Sequence, residues 1–215
     1  MMRTVPGVAA RRRARAFGAR DLLMSTESPR YTTVAVILHW LIAVMLAGQI
    51  FGGWLAADES TPRAQAFQLF QLHKSFGLTI LALSVARLVW RLSHKVPPMP
   101  ETMAGWERAA ARGVHFLFYV LIIAMPLSGW ALISSAPYTV TTMYFGLFEV
   151  PLLPVLSGSL RGKEIHELLE SAHSALVWIT IGLLLLHVGA ALKHHFVNRD
   201  GVLARMLPFL KAAAP

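Results

Sequence analysis

The sequence predicts an all-α fold, a transmembrane bundle of four helices, from two observations. First, 55% of the 215 residues are hydrophobic and only 14% are charged, with a mean hydropathy of +0.54. A soluble domain carries about 25% charged residues, so this composition is typical of a membrane protein. Second, four stretches are rich enough in apolar residues to cross the hydrocarbon core, which takes about 20 residues of helix.

The absence of cysteine and the excess of basic residues narrow the function classes. Without cysteine the chain has no disulfides, thiolate catalysis, iron–sulfur clusters or covalently attached c-type haem. The formal net charge is +9. In a soluble protein this excess would indicate nucleic acid as a partner, whereas in a membrane protein Lys and Arg collect in the cytoplasmic segments. We therefore predict a lipid bilayer as the surroundings and no nucleic-acid partner.

The chain divides into a helical domain and two tails. Residues 1–29 are Arg-rich and lack the apolar core of a signal peptide, so we predict a disordered, basic cytoplasmic tail. Met24 is an alternative start, because every recognisable feature follows it. Residues 30–207 form the four-helix domain, and residues 208–215 form a C-terminal tail.

The predicted helices span about 33–56, 66–92, 113–134 and 167–194. The second has a charge-free core of only 75–86. It crosses the membrane only if Lys74 reaches one interface and Arg87 and Arg91 reach the other. The Pro-containing segment 135–163 is predicted to be a loop on the membrane surface.

The distribution of charge predicts the topology. Most Lys and Arg residues lie in the N-terminal tail, the link between the second and third helices, and the C-terminal tail. The first and third connections are comparatively acidic. An even number of helices with both termini in the cytoplasm satisfies this pattern, and we predict a multi-pass protein of a bacterial inner membrane.

Four histidines fall at two matched depths in this topology. His39 and His187 lie about two turns from the cytoplasmic side, and His73 and His173 lie near the outer side. His173 and His187 are 14 residues apart, which returns to within roughly 40° of one helix face with a rise of about 21 Å. Pairs of imidazoles facing across a bundle are what an axially ligated haem iron requires. Two pairs indicate two b-type haems.

Other interpretations of these histidines stay open. A single transmembrane histidine is more often a hydrogen-bonded packing residue than a ligand, although two depth-matched pairs favour ligands. A zinc site is the other metal interpretation, but its ligands usually include Cys or a carboxylate and number four. The charge-free helix cores contain no Asp or Glu, so haem is favoured.

Further residues suit a haem without requiring one. Lys74 and Arg87 are candidate partners of the anionic propionates, and the alternative for such residues is snorkelling to the interface. Three glycines, Gly48, Gly52 and Gly77, would let a flat macrocycle approach the backbone. Their alternative role is close helix packing.

Four stretches of the sequence resemble the bacterial cytochrome b561 family. They are "YTTVAVILHWLIAVMLAG", "QLHKSFGL…ARLVWRL", "HFLFYVLIIAMPLSGW" and "HSALVWITIGLLLLHVGAALKHHFVNRDGVLARML". The resemblance covers about Arg30 to Leu207. It implies a four-helix, di-haem electron carrier of the inner membrane that is linked to ubiquinone, and one branch of the family is described as a superoxide:ubiquinone oxidoreductase.

The resemblance also implies roles for individual histidines. It assigns the axial haem ligands to His39, His73, His173 and His187. His115 matches a family histidine that is not an axial ligand, and we place it near the quinone. His166 is a rival to His173 as the outer ligand, because it lies seven residues earlier on the same helix face.

These observations support three functions. An axially saturated haem has no open site for oxygen, so the first is electron transfer between ubiquinone and a donor, either periplasmic superoxide or a redox partner protein, with no catalytic side chain. The second is a haem-bearing membrane anchor of a dehydrogenase or hydrogenase. The third is a transporter that uses intramembrane histidines. An anionic donor would be attracted by Lys74, Arg161 and Lys163, against which several glutamates compete: Glu149, Glu164, Glu167 and Glu170.

Overall fold

Four long helices make up most of the molecule. The computed structural model describes residues 30–138, 141–207 and 209–210, so the predicted N-terminal tail lies outside the described residues. The helices are α1 (Thr33–Ala57), α2 (Arg63–Ser93), α3 (Gly105–Ser134) and α4 (Lys163–Lys193). All four are long and apolar enough to cross a membrane. The predicted class, an all-α transmembrane four-helix bundle, is confirmed.

Three helices begin earlier than the apolar stretches indicate, and α2 does so by three residues, at Arg63 instead of 66. α3 begins at Gly105, eight residues before the predicted 113, and α4 begins at Lys163 rather than 167. Hydropathy detects only the part of a helix that suits hydrocarbon, whereas these first turns contain Ala, Glu, Lys or Arg, which favour helix in water. The Glu107 carboxylate also accepts a hydrogen bond from the Ala104 backbone N–H at 3.3 Å and closes the first turn of α3.

The helices alternate in direction, so both ends of the described chain lie at one end of the bundle. We call this the termini end; there α1 and α3 begin and α2 and α4 end. The Trp40 indole on α1 donates to the Met206 carbonyl at 2.8 Å, and Glu107 on α3 pairs with Lys193 on α4. The opposite end, which carries the segment 135–162, is called the loop end.

α4 is attached to the bundle differently from the other helices. α1 packs along α2, α2 along α3, and α3 along α4. The buried apolar cluster is formed by Ile42, Ile80 and Ile122, one from each of the first three helices. Within the described residues, α4 adds nothing to this cluster, and its backbone does not pack along α1 or α2. Side chains must therefore bridge the space between α4 and these two helices.

The segment between α3 and α4 folds over the loop end of α2. It contains a two-stranded antiparallel hairpin and a single helical turn: β1 (Met143–Tyr144), β2 (Phe148–Glu149) and Pro154–Ser157. The hairpin turns at Phe145 and Gly146, which both have positive φ. The Ser75 hydroxyl on α2 donates to the Met143 carbonyl at 3.1 Å and accepts from the Phe145 N–H at 3.0 Å. This segment is therefore a folded cover rather than an irregular loop.

Candidate functional site

The structure brings the four predicted histidines together as two pairs. His39 on α1 faces His187 on α4 near the termini end, with ring centroids 6.2 Å apart and ring planes at 65°. His73 on α2 faces His173 on α4 near the loop end, with centroids 6.4 Å apart and planes at 76°. All four residues are half-buried. The two pairs bridge the space that α4 leaves toward α1 and α2.

The spacing of each pair fits an iron held between two imidazoles. Two metal–nitrogen bonds of about 2 Å, together with the half-widths of two rings, add up to a centroid separation of about 6 Å. Gly48 and Gly52 line an open groove beside His73, and a Cβ at either glycine would meet nothing within 4 Å. The chain therefore offers facing imidazoles at this spacing and an open groove beside one pair. Gly77 differs, since its Cβ would lie 3.3 Å from the Gln49 side chain, and its role is helix packing.

The side chains do not form a closed metal site. Within residues 30–138, 141–207 and 209–210, no group of three or more His, Cys, Asp or Glu side chains could hold a metal ion. A structural zinc ion takes four protein ligands and a catalytic one usually takes three. Two-histidine sites match the axial positions of a haem instead.

His173 has a hydrogen-bond partner that the sequence analysis missed. The hydroxyl oxygen of Ser128 on α3 lies 2.7 Å from Nδ1 of His173. A Cβ on the next residue, Gly129, would lie 3.3 Å from Cε1 of the same ring. The sequence did indicate this partner, because Ser128 is a polar residue in the otherwise apolar stretch "AMPLSGW".

His73 is held by α1, through a glycine and a glutamine. A Cβ on Gly53 would lie 3.0 Å from Cε1 of the His73 ring. The Gln49 side-chain amide donates to the His73 carbonyl at 2.7 Å. Nδ1 of His73 is buried and has no hydrogen-bond partner. The two rings of this pair therefore have different surroundings, one hydrogen-bonded and the other not.

His166, the rival of His173, lies against α3 and not against His73. Its Nδ1 is 3.1 Å from the Leu132 carbonyl, and its ring centroid is 6.2 Å from that of Tyr138. The ring that faces His73 is that of His173. The geometry therefore favours His173 as the partner.

The two cations predicted as propionate partners lie at opposite ends of α2. Arg87 lines a cleft at the termini end together with His115 and Tyr119, and its guanidinium lies 5.8 Å from the centroid of the Tyr119 ring. The His115 ring is 5.5 Å from that of His187. At the loop end, half-buried Lys74 donates to the Thr141 carbonyl at 3.3 Å. Each histidine pair thus has a cation toward its own end of the bundle.

Residues 30–209 match the sequence profile of prokaryotic cytochrome b561. The chain belongs to this family. Cytochrome b561 homolog 2 of Escherichia coli K12 is 32% identical over 183 residues, which is 85% of this chain and 94% of that protein. Cytochrome b561 homolog 1 of the same organism is 28% identical over 187 residues, or 83% and 97% of the two chains. The probable superoxide oxidase CybB of Yersinia pestis is 25% identical over 181 residues, or 83% and 96%.

Membership of the cytochrome b561 family defines the general activity. The chain is a multi-pass membrane protein that binds b-type haem and takes part in electron transport. The resemblance stated from the four sequence stretches is thereby confirmed. The family membership also gives a reason for the half-open space around α4, since a bundle that binds haem leaves room between its helices.

Proposed function

We propose that this cytochrome b561 binds two b-type haems and transfers electrons across the bacterial inner membrane to ubiquinone. The observation that carries the proposal is the pair of facing imidazoles at each end of α4, 6.2 and 6.4 Å apart between centroids. One haem is held by His39 and His187, the other by His73 and His173. When bound, these haems supply one-electron chemistry at both ends of the bundle.

The neighbouring residues of this chain bind, orient and balance charge. Arg87 and Lys74 provide positive charge for the propionates of the haem nearer to each, which offsets the cost of placing carboxylates inside a bundle. His115 and Tyr119 face the cleft at the termini end, where they offer a ring nitrogen and a hydroxyl to the oxygens of a quinone. The cleft is lined by both polar and aromatic groups, which suits a quinone headgroup.

The proposed orientation places the termini end in the cytoplasm and the loop end outside. In support, the described basic residues near the termini end include Arg91, Lys95, Arg108 and Arg112, whereas Asp58, Glu59, Glu149 and Glu164 lie near the loop end. The haem between His73 and His173 would then lie near the outer surface, beneath the segment that folds over α2.

The proposed donor is superoxide. In the balanced reaction, two superoxide anions each lose one electron and become O₂, and ubiquinone gains the two electrons and two protons to become ubiquinol. What supports this donor is the name of the relative from Yersinia pestis, together with Lys74 and Arg161 near the loop end, which favour encounter with a small anion.

A stepwise experiment tests the proposal. Purified, haem-loaded protein should show two haems per chain and a reduced-minus-oxidised spectrum of a low-spin b-type cytochrome. Pulsed superoxide should then reduce the haems faster than it dismutates spontaneously, and added ubiquinone should reoxidise them. No reduction by superoxide, with rapid reduction by quinol or by a co-purified dehydrogenase subunit, would replace this donor with a quinol-linked or anchor role. Fewer than two haems per chain would contradict the di-haem proposal.

A further inference from the structure

Ser128 and Gly129, neighbours on α3, both touch one edge of the His173 ring. The Ser128 hydroxyl oxygen lies 2.7 Å from Nδ1. A Cβ on Gly129 would lie 3.3 Å from Cε1 and 3.7 Å from Nδ1. The edge formed by Nδ1 and Cε1 is therefore held by a hydrogen bond and lies close to Gly129, where a Cβ would make a tight contact with the ring. The opposite edge, with Nε2, is free of both.

The second hydrogen bond of Ser128 favours one position for the proton of His173, because a backbone carbonyl can only accept. The Ser128 hydroxyl donates to the Met125 carbonyl at 2.7 Å, so its only proton is already used. Toward His173 the hydroxyl oxygen is then an acceptor, and Nδ1–H of the imidazole is the donor. A neutral imidazole protonated at Nδ1 has its lone pair on Nε2, the nitrogen that can bind a metal.

We infer that Ser128 is a positioning residue for His173, which selects the tautomer and orientation that present Nε2 to iron and makes the imidazole a stronger electron donor. The inference rests on the proposed function, in which His173 is an axial ligand. Metal-bound imidazoles commonly donate their other N–H to an acceptor, which orients the ring and raises its basicity. His73 lacks such an acceptor, because its Nδ1 is buried without a partner.

This arrangement has a measurable consequence for the haem between His73 and His173. A more basic axial ligand stabilises ferric over ferrous iron, so loss of the Ser128 acceptor raises the midpoint potential of that haem. The other haem, between His39 and His187, has no contact with Ser128 and serves as an internal reference in the same molecule.

Ser128→Val and Ser128→Thr form a matched pair, because they have the same shape and differ only in the hydroxyl. Purified holoprotein of each is titrated potentiometrically and its haem content measured. In Ser128→Val we expect one of the two haems to favour the ferrous state about tenfold more, which is about 59 mV for one electron, or to be lost. Ser128→Thr should keep both haems at wild-type potentials. The midpoint potential of the haem between His39 and His187 should not change in either variant.

Ser135, the residue directly after α3, supplies a control. It lies seven residues after Ser128, donates to the Leu132 carbonyl at 2.9 Å, and faces His166 at the long distance of 3.5 Å. Ser135→Ala should leave both potentials unchanged. A shift in Ser135→Ala with none in Ser128→Val would overturn the inference in favour of His166.

A parallel His173→Ala variant separates failure of the inference from failure of the proposed function. If Ser128→Val has wild-type potentials while His173→Ala loses one haem, His173 is a ligand that Ser128 does not position, and the inference is wrong. Equal shifts in Ser128→Val and Ser128→Thr would also contradict it, because packing rather than the hydroxyl would then be responsible. If His173→Ala keeps both haems, the proposed ligand assignment itself fails.

Discussion

Lys74 and Arg87 stand 13 positions apart on α2, one toward each end of the bundle. That separation is a rise of about 20 Å along the helix, close to the spacing of the two histidine pairs along α4. Lys74 is adjacent in sequence to His73, and Arg87 shares a cleft with His115, whose ring lies 5.5 Å from that of His187. One helix therefore supplies a cation for each pair.

This relationship predicts separable effects on the two haem potentials. A nearby positive charge favours the ferrous state, which carries one negative charge more than the ferric state, so its removal lowers the midpoint potential. Lys74→Gln should lower the potential of the haem at the loop end and Arg87→Gln that of the other, each by up to about 60 mV, a tenfold change in the redox equilibrium. Potentiometric titration checks this. The prediction fails if either variant shifts the midpoint potentials of both haems equally.

The ligand assignment predicts a graded loss of haem. Replacement by Ala of any of the four paired histidines should remove about one haem per chain, because an iron that loses an axial imidazole in a half-open bundle is held weakly. His115→Ala and His166→Ala should keep both haems. The haem content per chain of each purified variant tests this prediction. If the His173→Ala variant keeps both haems and the His166→Ala variant loses one, His166 is the ligand and His173 is not.

Gly53 and Gly129 leave little room for a side chain beside the histidine rings of the loop-end pair. A Cβ on Gly53 would lie 3.0 Å from the His73 ring, and a Cβ on Gly129 would lie 3.3 Å from the His173 ring. Both distances are shorter than an ordinary van der Waals contact. We expect Gly53→Ala and Gly129→Ala to displace the rings and to reduce binding of the loop-end haem about tenfold or more.

Gly113→Ala is the matched control for these two substitutions. A Cβ there would meet nothing within 4 Å, and Ala stabilises a helix over Gly by about 1 kcal/mol. This variant should therefore keep its haem and be at least as stable as the wild type. Full haem content in Gly53→Ala and Gly129→Ala would show that the rings can move without cost.

The orientation in the membrane predicts where fused reporters appear. A reporter inserted near Gly158, between α3 and α4, should be found outside, and one fused after Met206 should be found in the cytoplasm. Enzymatic reporters active on only one side of the membrane provide the measurement. Detection of both on the same side would contradict the four-span topology.

Encounter with superoxide should depend on three cations near the loop end. Arg161 donates to the Ala136 carbonyl at 2.8 Å, and Lys163 lies 3.6 Å from Glu167 in an exposed pair. Replacement of these two residues and Lys74 together by Gln should slow haem reduction about tenfold at low ionic strength and flatten its salt dependence.

A basic residue at the opposite end supplies the control for this effect. Arg112→Gln should leave the rate with superoxide unchanged. A triple variant with the wild-type rate and salt dependence would remove the electrostatic argument for an anionic donor.

Much of the fold followed from the sequence because hydrocarbon imposes a simple demand. A helix without charge over about 20 residues has few alternatives to crossing a membrane, and the depth of each histidine then follows from its position in the span. The facing of His39 with His187 and of His73 with His173 was anticipated on this basis. Their role as haem ligands remains a prediction.

What the sequence could not show depends on how the helices are rotated and how polar turns extend them. The contact between Ser128 and His173 requires two particular faces of α3 and α4 to meet, and no periodicity in either helix specifies that rotation. The early start of α3 at Gly105 lies in amphipathic turns that hydropathy does not detect. The sequence left two roles open for Gly77, approach of a macrocycle and helix packing, and its position beside Gln49 favours packing.

The loose attachment of α4 bears on how this protein is made. Because α4 packs along α3 alone, the four helices can be inserted and threaded by the translocation machinery before any cofactor arrives. On the proposed ligand assignment, a haem that bound between these helices would tie α4 to α1 and α2 through the paired imidazoles. Assembly would then separate into insertion followed by closure, and chains without haem would be the ones most open to membrane proteases.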